Sequence, residues 1–143
     1  MAFDILKKRA LETAEIELVE GDGSPLYDDD GKRLSVTVNG PGSKVWQQAN
    51  AEMNRRRTQR IEKNRGKITA ALEHAQEDQV DFLCRVTISF NGWEYPAPDG
   101  KKWPTQDAMF RAAYEDDTIG YIRDHVDSEA RDWSAFTRGS GTA

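Results

Sequence analysis

The sequence predicts an α+β fold, with a small N-terminal antiparallel hairpin or sheet followed by a mainly helical region. Two observations carry this reading. Up to residue 38 apolar residues recur with period two, in EIELVE (residues 15–20) and in Leu34, Val36 and Val38, which is the spacing of half-buried strands. After Pro41 they recur at i, i+3, i+4 and i+7, the spacing of amphipathic helices. The 143 residues suit one domain, read here as a single unit over residues 1–138. Residues 1–40 form its hairpin region and 43–137 its helical region, with 139–143 a disordered tail.

Residues 3–11 have the composition of a short helix, with Ile5 and Leu6 followed by Lys7, Lys8 and Arg9. Residues 15–20 read as a strand with one wet face, Asp22-Gly23 as a turn, Leu26-Tyr27 as a short strand and Asp30-Gly31 as a second turn. Residues 34–38 then pair with 15–20. Asn39-Gly40-Pro41-Gly42 ends the sheet, and Ser43 is placed to cap a helix reaching about Lys63. That helix carries Val45, Trp46, Ala49 and Met53 on one face, but beyond Met53 only Ile61 is apolar, so its second half should project into solvent or lie against a partner. Gly66 interrupts it.

Ile68, Ala71, Leu72, Ala75, Gln79, Phe82, Leu83 and Val86 predict a second amphipathic helix ending near Arg85. Val86, Ile88 and Phe90 also alternate like a strand. Residues 91–103 form a Gly/Pro-rich connection whose Trp93, Tyr95 and Trp103 are placed to plug it onto the core. Thr105 can cap a helix bearing Met109, Phe110, Ala113 and Tyr114, which the acids Glu115, Asp116 and Asp117 end. Thr118 is placed to open a further helix with Ile119, Ile122 and Val126 on one face, and a last turn returns Trp133 and Phe136. Trp46, Leu72, Phe82, Phe110, Ile122 and Trp133 are the expected large core residues.

Hydrophobic residues make up 37% of the chain and charged residues 31%, with mean hydropathy -0.80. The apolar share lies below the usual ~45–50%, so the core is modest. No apolar run approaches the ~18 residues that would span a membrane, and the N-terminus lacks a signal-peptide core. One cysteine, Cys84, leaves no intrachain disulfide to form, and a cytoplasmic location is the default. The net charge of -5 is uneven: residues 44–67 hold 8 basic and 2 acidic side chains, between flanks that are both net acidic. A basic block between acidic flanks favours self-association or acidic partners.

No catalytic, metal or cofactor set emerges. Asp28-Asp29-Asp30-Gly31 resembles a calcium loop, but setting Gly31 at loop position six puts Leu26 at position one and Thr37 at position twelve, where ligands are required. His74 and Cys84, ten residues apart on one helix, would lie about 80° around and ~15 Å along it, too far to pair. Cys84 beside Leu83 reads as a small core residue. Two histidines and one cysteine have no zinc spacing. Gly40-Pro41-Gly42-Ser43-Lys44 lacks the spacer of a phosphate loop and reads as a helix cap. The functional candidates are therefore basic: Arg55, Arg56, Arg57 and Arg60, as electrostatic partner-binding residues. Nucleic acid is the weaker partner for them, because the block has no aromatic residues to stack on bases and the chain as a whole is acidic.

Beyond composition, the chain resembles the tail assembly chaperones of long-tailed bacteriophages. The resemblance runs, in order, through the acidic strand and DG-type turn, through LSVTVNGPGSKVWQQA (residues 34–49), and through VTISFNGWEY (86–95) with its Gly-Trp pair. It ends in DAMFRAAYEDDTIGYIRDHVDSEARDWSAF (107–136), where Ile122, Arg123, Val126 and Asp127 stand for an IR-x-x-V-D helix. The resemblance implies a non-enzymatic protein of the host cell cytoplasm that binds the tape measure protein, keeps it soluble while tail tube protein polymerises around it, and is absent from the mature virion. The uneven charge, rather than the resemblance, is what makes a homo-oligomer a further expectation. The competing expectations are a structural tail or head–tail connector subunit and a nucleic-acid-binding regulator using the basic helix.

Overall fold

A computed structural model describes residues 2–137; the expectation for the tail at 139–143 lies outside them. Three strands, β1 (Thr13–Glu17), β2 (Ser35–Asn39) and β3 (Thr87–Asn91), form one antiparallel sheet in that order. Six helices follow the hairpin: α1 (Lys44–Lys63), α2 (Thr69–Glu73), α3 (Ala75–Val86), α4 (Gln106–Glu115), α5 (Gly120–Ala130) and α6 (Ser134–Thr137). The α+β class is thus as the sequence predicts, and β1 pairs with β2 in the expected place, Ile16 opposite Val36 and Glu15 opposite Thr37.

The period-two pattern is realised directly. Ile16, Leu18, Val36 and Val38 are buried on the inner face, while Glu15 on the outer face accepts a hydrogen bond from Ser35 at 2.7 Å. Leu26 and Tyr27 lie in the long hairpin excursion, which closes through single bridges, Val19 to Pro25 and Tyr27 to Arg33. The sheet is completed from a distance: β3 comes from within the expected helical region, 48 residues or more beyond β2 in sequence. Its pairing slips between Thr37 and Val38, with Thr37 opposite Ser89 and Val38 opposite Thr87. Ile88 is the extra residue of that bulge and is 42% exposed. Alternation through Val86, Ile88 and Phe90 therefore marks a strand without marking its inner face.

The inner face of the sheet is covered by α5, whose Ile122, Val126 and Ala130 are buried. Next to it stand α3 with Val80, Phe82, Leu83 and Val86, and α4 with Phe110, Ala113 and Tyr114. Phe90 joins strand to helix, stacking on Trp93 at 4.0 Å and meeting Phe110 at 4.7 Å between ring centroids. Tyr114 closes the core with a hydroxyl bond of 2.7 Å to Thr87.

Gly40 fixes how the two ends of the chain meet. A Cβ on it would lie 2.4 Å from the Phe136 ring, so only glycine allows α6 to seat Phe136, fully buried, beneath the turn before α1. Ser43 caps α1 as expected: its hydroxyl oxygen accepts from the Trp46 N–H at 3.2 Å and its O–H donates to the Gly40 carbonyl at 2.7 Å. Trp46 then donates its indole N–H to the Ala130 carbonyl at 2.9 Å and meets the Phe82 ring nearly at right angles, 5.5 Å between centroids. It is half-buried rather than fully enclosed.

Several expectations are corrected. The helix expected over 68–85 is broken at His74, whose backbone leaves helical geometry (φ -109, ψ 11). The break lets α3 turn its apolar face to the core while α2 packs back on α1; Leu72 is left 68% exposed. Trp133, also expected in the core, is 55% exposed, because Phe136 occupies the place beneath Gly40 and Trp133 lies along Gly42 instead. Residues 3–11 make a single 3-10 turn, Ile5–Lys8, capped by Asp4, with no buried side chain. Asp116, not Thr118, caps the turn that leads into α5, accepting from the Thr118 N–H and hydroxyl at 2.9 and 2.6 Å.

Candidate functional site

The basic half of α1 does not project freely. It lies antiparallel to α3, and the two helices meet through a ladder of opposite charges. Glu52, Arg56 and Arg60 fall four residues apart on one stripe of α1. Asp78, Asp81 and Arg85 fall three and four apart on α3. Arg60 Nη1 holds both carboxylate oxygens of Asp78, at 2.7 and 2.6 Å. Arg57 adds a second cation 3.6 Å from the same group. One rung on, Arg56 donates to Asp81 at 2.6 Å, and Arg85 closes the ladder on Glu52. Arg111 reaches Asp81 from α4 at 2.8 Å, tying three helices at one carboxylate.

Burial ranks these contacts. The Asp78 side chain is 0% exposed and that of Arg60 21%. A carboxylate so enclosed is tolerable only when paired; removing its partner costs about 3–5 kcal/mol. The Asp81–Arg56 pair is partly exposed. Burial works against the Asp81 carboxylate, but the Arg111 and Arg56 guanidiniums outweigh it and hold its pKa below the ordinary 3.8. Hydrogen bonding to Asp81 raises the pKa of both arginines despite their partial burial.

Three of the four basic candidates, Arg56, Arg57 and Arg60, are thus directed to the chain's own acids, and one, Arg55, is exposed with no ion pair among the described residues. The sequence signal was present on the other side. Asp78, Asp81 and Arg85 keep helical spacing, but the apolar face of the same helix masked them, because Asp78 sits two residues before Val80 and reads as part of the wet face.

Beyond the ladder, three further cations with no ion pair among the described residues cluster where α1 ends. Lys63, Arg65 and Lys67 surround a turn in which Arg65 and Gly66 take positive φ, 57 and 78, and Ile68 follows, 65% exposed. A second feature is an open cleft of about 590 Å³ lined by Tyr95, Lys101, Lys102, Trp103 and Met109. Its aromatic polar atoms are engaged within the fold: Tyr95 donates to Asp116 at 2.7 Å and Trp103 to the Tyr95 carbonyl at 2.6 Å. Of the three loop aromatics expected to plug onto the core, Trp93 packs against it, while Tyr95 and Trp103 instead contact each other and Asp116.

Cys84 is buried, and desolvation pushes its thiol up to about 12, so it is a core residue without nucleophilic character at neutral pH. Among the described residues no group of three or more His, Cys, Asp or Glu side chains is placed to hold a metal ion, and no helix is long and apolar enough to cross a membrane. Set against known proteins, the chain matches no family model, and neither a curated protein nor a solved structure resembles it significantly.

Proposed function

We propose that the chain is a non-enzymatic assembly chaperone of the long-tailed phage kind, which grips the tape measure protein until tail tube subunits enclose it. The observation that carries this reading is the apolar surface left once the core has closed. Ile68, which precedes α2, and Leu72 within it are 65% and 68% exposed and stand four residues apart, and Trp133 is 55% exposed beside α6. Residues four apart share one side of a helix, so Ile68 and Leu72 offer a small continuous contact rather than two isolated ones. Contacts of this size suit a weak, displaceable hold on the apolar stripe of a long helix.

The resemblance adds support from packing. Its segments meet in space: the GPGS turn lies against Phe136, and Trp46 bonds to the end of α5. In this reading the partners are the tape measure protein and then tail tube protein, the place of action is the host cell cytoplasm, and the finished particle lacks the chain.

Co-expression with the tape measure protein of the same phage tests it. The expected result is a larger soluble fraction of tape measure protein, co-purification of the two, and no chain in purified virions. Insoluble tape measure protein with no co-purification would overturn the reading. Stoichiometric retention in virions would replace it with a structural tail or connector subunit. A nucleic-acid regulator is less favoured than the bare count of arginines suggests, since Arg56, Arg57 and Arg60 face carboxylates within the chain.

A further inference from the structure

The same chain carries two exposed surfaces of opposite charge that do not meet within one copy. The first is the α1–α2 corner. Between Lys63 and Leu72 there are three cations, Lys63, Arg65 and Lys67, and no acid, with Glu62 and Glu73 flanking. None of the three cations has an ion-pair partner among the described residues, and exposed Ile68 and Leu72 lie beside them. The second is the hairpin excursion between β1 and β2, where Glu20, Asp22, Asp28, Asp29 and Asp30 outnumber two bases, Lys32 and Arg33. Arg33 pairs with Glu17 at 3.0 Å and lies over one face of the Tyr27 ring, 5.9 Å from its centroid. Tyr27, 55% exposed, stands among these acids. Asp22 and Asp28 are engaged by their own turns, accepting from Ser24, Asp30 and Lys32 backbone N–H groups. Asp29 and Asp30 have exposed side chains with no such engagement.

We infer that the α1–α2 corner of one copy docks the acidic hairpin tip of a second copy, with Tyr27 against Ile68 and Leu72 inside a ring of ion pairs. Charge complementarity selects this occupant. The corner offers cations around an apolar centre, the tip offers acids around an aromatic one, and both come from one sequence at equal concentration. An apolar centre with a charged rim is the usual anatomy of a protein contact, and the rim charges set encounter rate and salt sensitivity. When two copies dock corner to tip reciprocally, the contact forms twice and the assembly closes. The docked tip covers Ile68 and Leu72, the contact assigned above to the tape measure helix, so a second copy and the tape measure protein compete for one surface. Self-association of the isolated chain is read without the tape measure protein present.

Sedimentation of the full chain across a concentration series, at low and at high salt, tests it with charge-reversed variants. Wild type should self-associate at low salt and dissociate as salt rises. Lys63→Glu with Lys67→Glu, or Asp29→Lys with Asp30→Lys, should each weaken self-association by about tenfold or more, since attraction at each pair becomes repulsion. An equimolar mixture of the two variants should associate again, and so should the chain carrying all four reversals. Leu72→Ser reads the apolar centre independently and should also weaken association. A wild type that stays monomeric throughout the series, reversals without effect, or a mixture and a fourfold variant that fail to regain association would each overturn the inference.

Discussion

At the scale of single residues, Gly40 shows how one position links two ends of a chain. Its missing side chain is occupied by the Phe136 ring, and a Cβ would sit 2.4 Å from a ring carbon. Gly40→Ala should therefore cost about 1–3 kcal/mol through overpacking, because the ring is fully buried and cannot yield freely. Denaturant unfolding checks this, and an unchanged midpoint would mean that α6 does not seat beneath the turn. Sequence alone shows a GPGS turn suited to a helix cap; that the glycine also accommodates an aromatic ring 96 residues later depends on tertiary packing that no local pattern encodes.

At the scale of elements, the periodic patterns identify which segments form helices and strands more reliably than which large residues they bury. Phe82, Phe110 and Ile122 lie in the core as their spacing predicts, whereas Leu72 and Trp133 do not. For Leu72 the difference arises at His74, where a break invisible to i, i+3, i+4 counting detaches α2 from the core face of α3; for Trp133 it arises because Phe136 takes the place beneath Gly40. The same physics accounts for β3: its residues alternate, but a bulge at Ile88 and a partner strand far upstream decide its place. Two substitutions separate these cases. Phe110→Ala should cost roughly 3–5 kcal/mol by lost burial and a cavity, while Leu72→Ala should change stability by no more than about 0.5 kcal/mol. Equal effects in thermal unfolding would show that α2 packs on the core after all.

The charge ladder between α1, α3 and α4 also has a pH signature. The Asp81 pKa is depressed in the folded state relative to the ordinary 3.8, so the unfolded chain takes up that proton more readily. Its stabilisation is therefore fully present above the ordinary carboxylate range and is lost as pH falls through 3.8 and below. Acid titration of unfolding should show a steeper loss of stability below that range for wild type than for Asp81→Asn; indistinguishable slopes would mean the Asp81 carboxylate is not held by Arg56 and Arg111.

Across the whole molecule, charge is divided between holding the fold together and remaining available at the surface. The net-basic block of residues 44–67 looks from sequence like a surface for partners, and Arg55, Arg56, Arg57 and Arg60 are its obvious representatives. The fold turns three of those four inward to Asp78 and Asp81. The pairing was hidden because it joins two helices whose antiparallel register follows from the turn at 64–67, and sequence periodicity does not report register between helices. Replacing all four arginines with glutamine would therefore disturb the fold as well as any partner contact. Arg55 stays exposed without an ion pair among the described residues, and a cluster of such cations lies past the ladder, at Lys63, Arg65 and Lys67.

A double-mutant cycle on Arg60 and Asp78, read by denaturant unfolding, tests this division most directly. Arg60→Met and Asp78→Asn should each destabilise the chain. The double variant should recover part of the loss, with a coupling of about 2 kcal/mol, because neither variant group then faces a buried unpaired charge. Single effects that simply add, to within about 0.3–0.5 kcal/mol, would contradict the account and return the basic helix to the surface as a free partner-binding face.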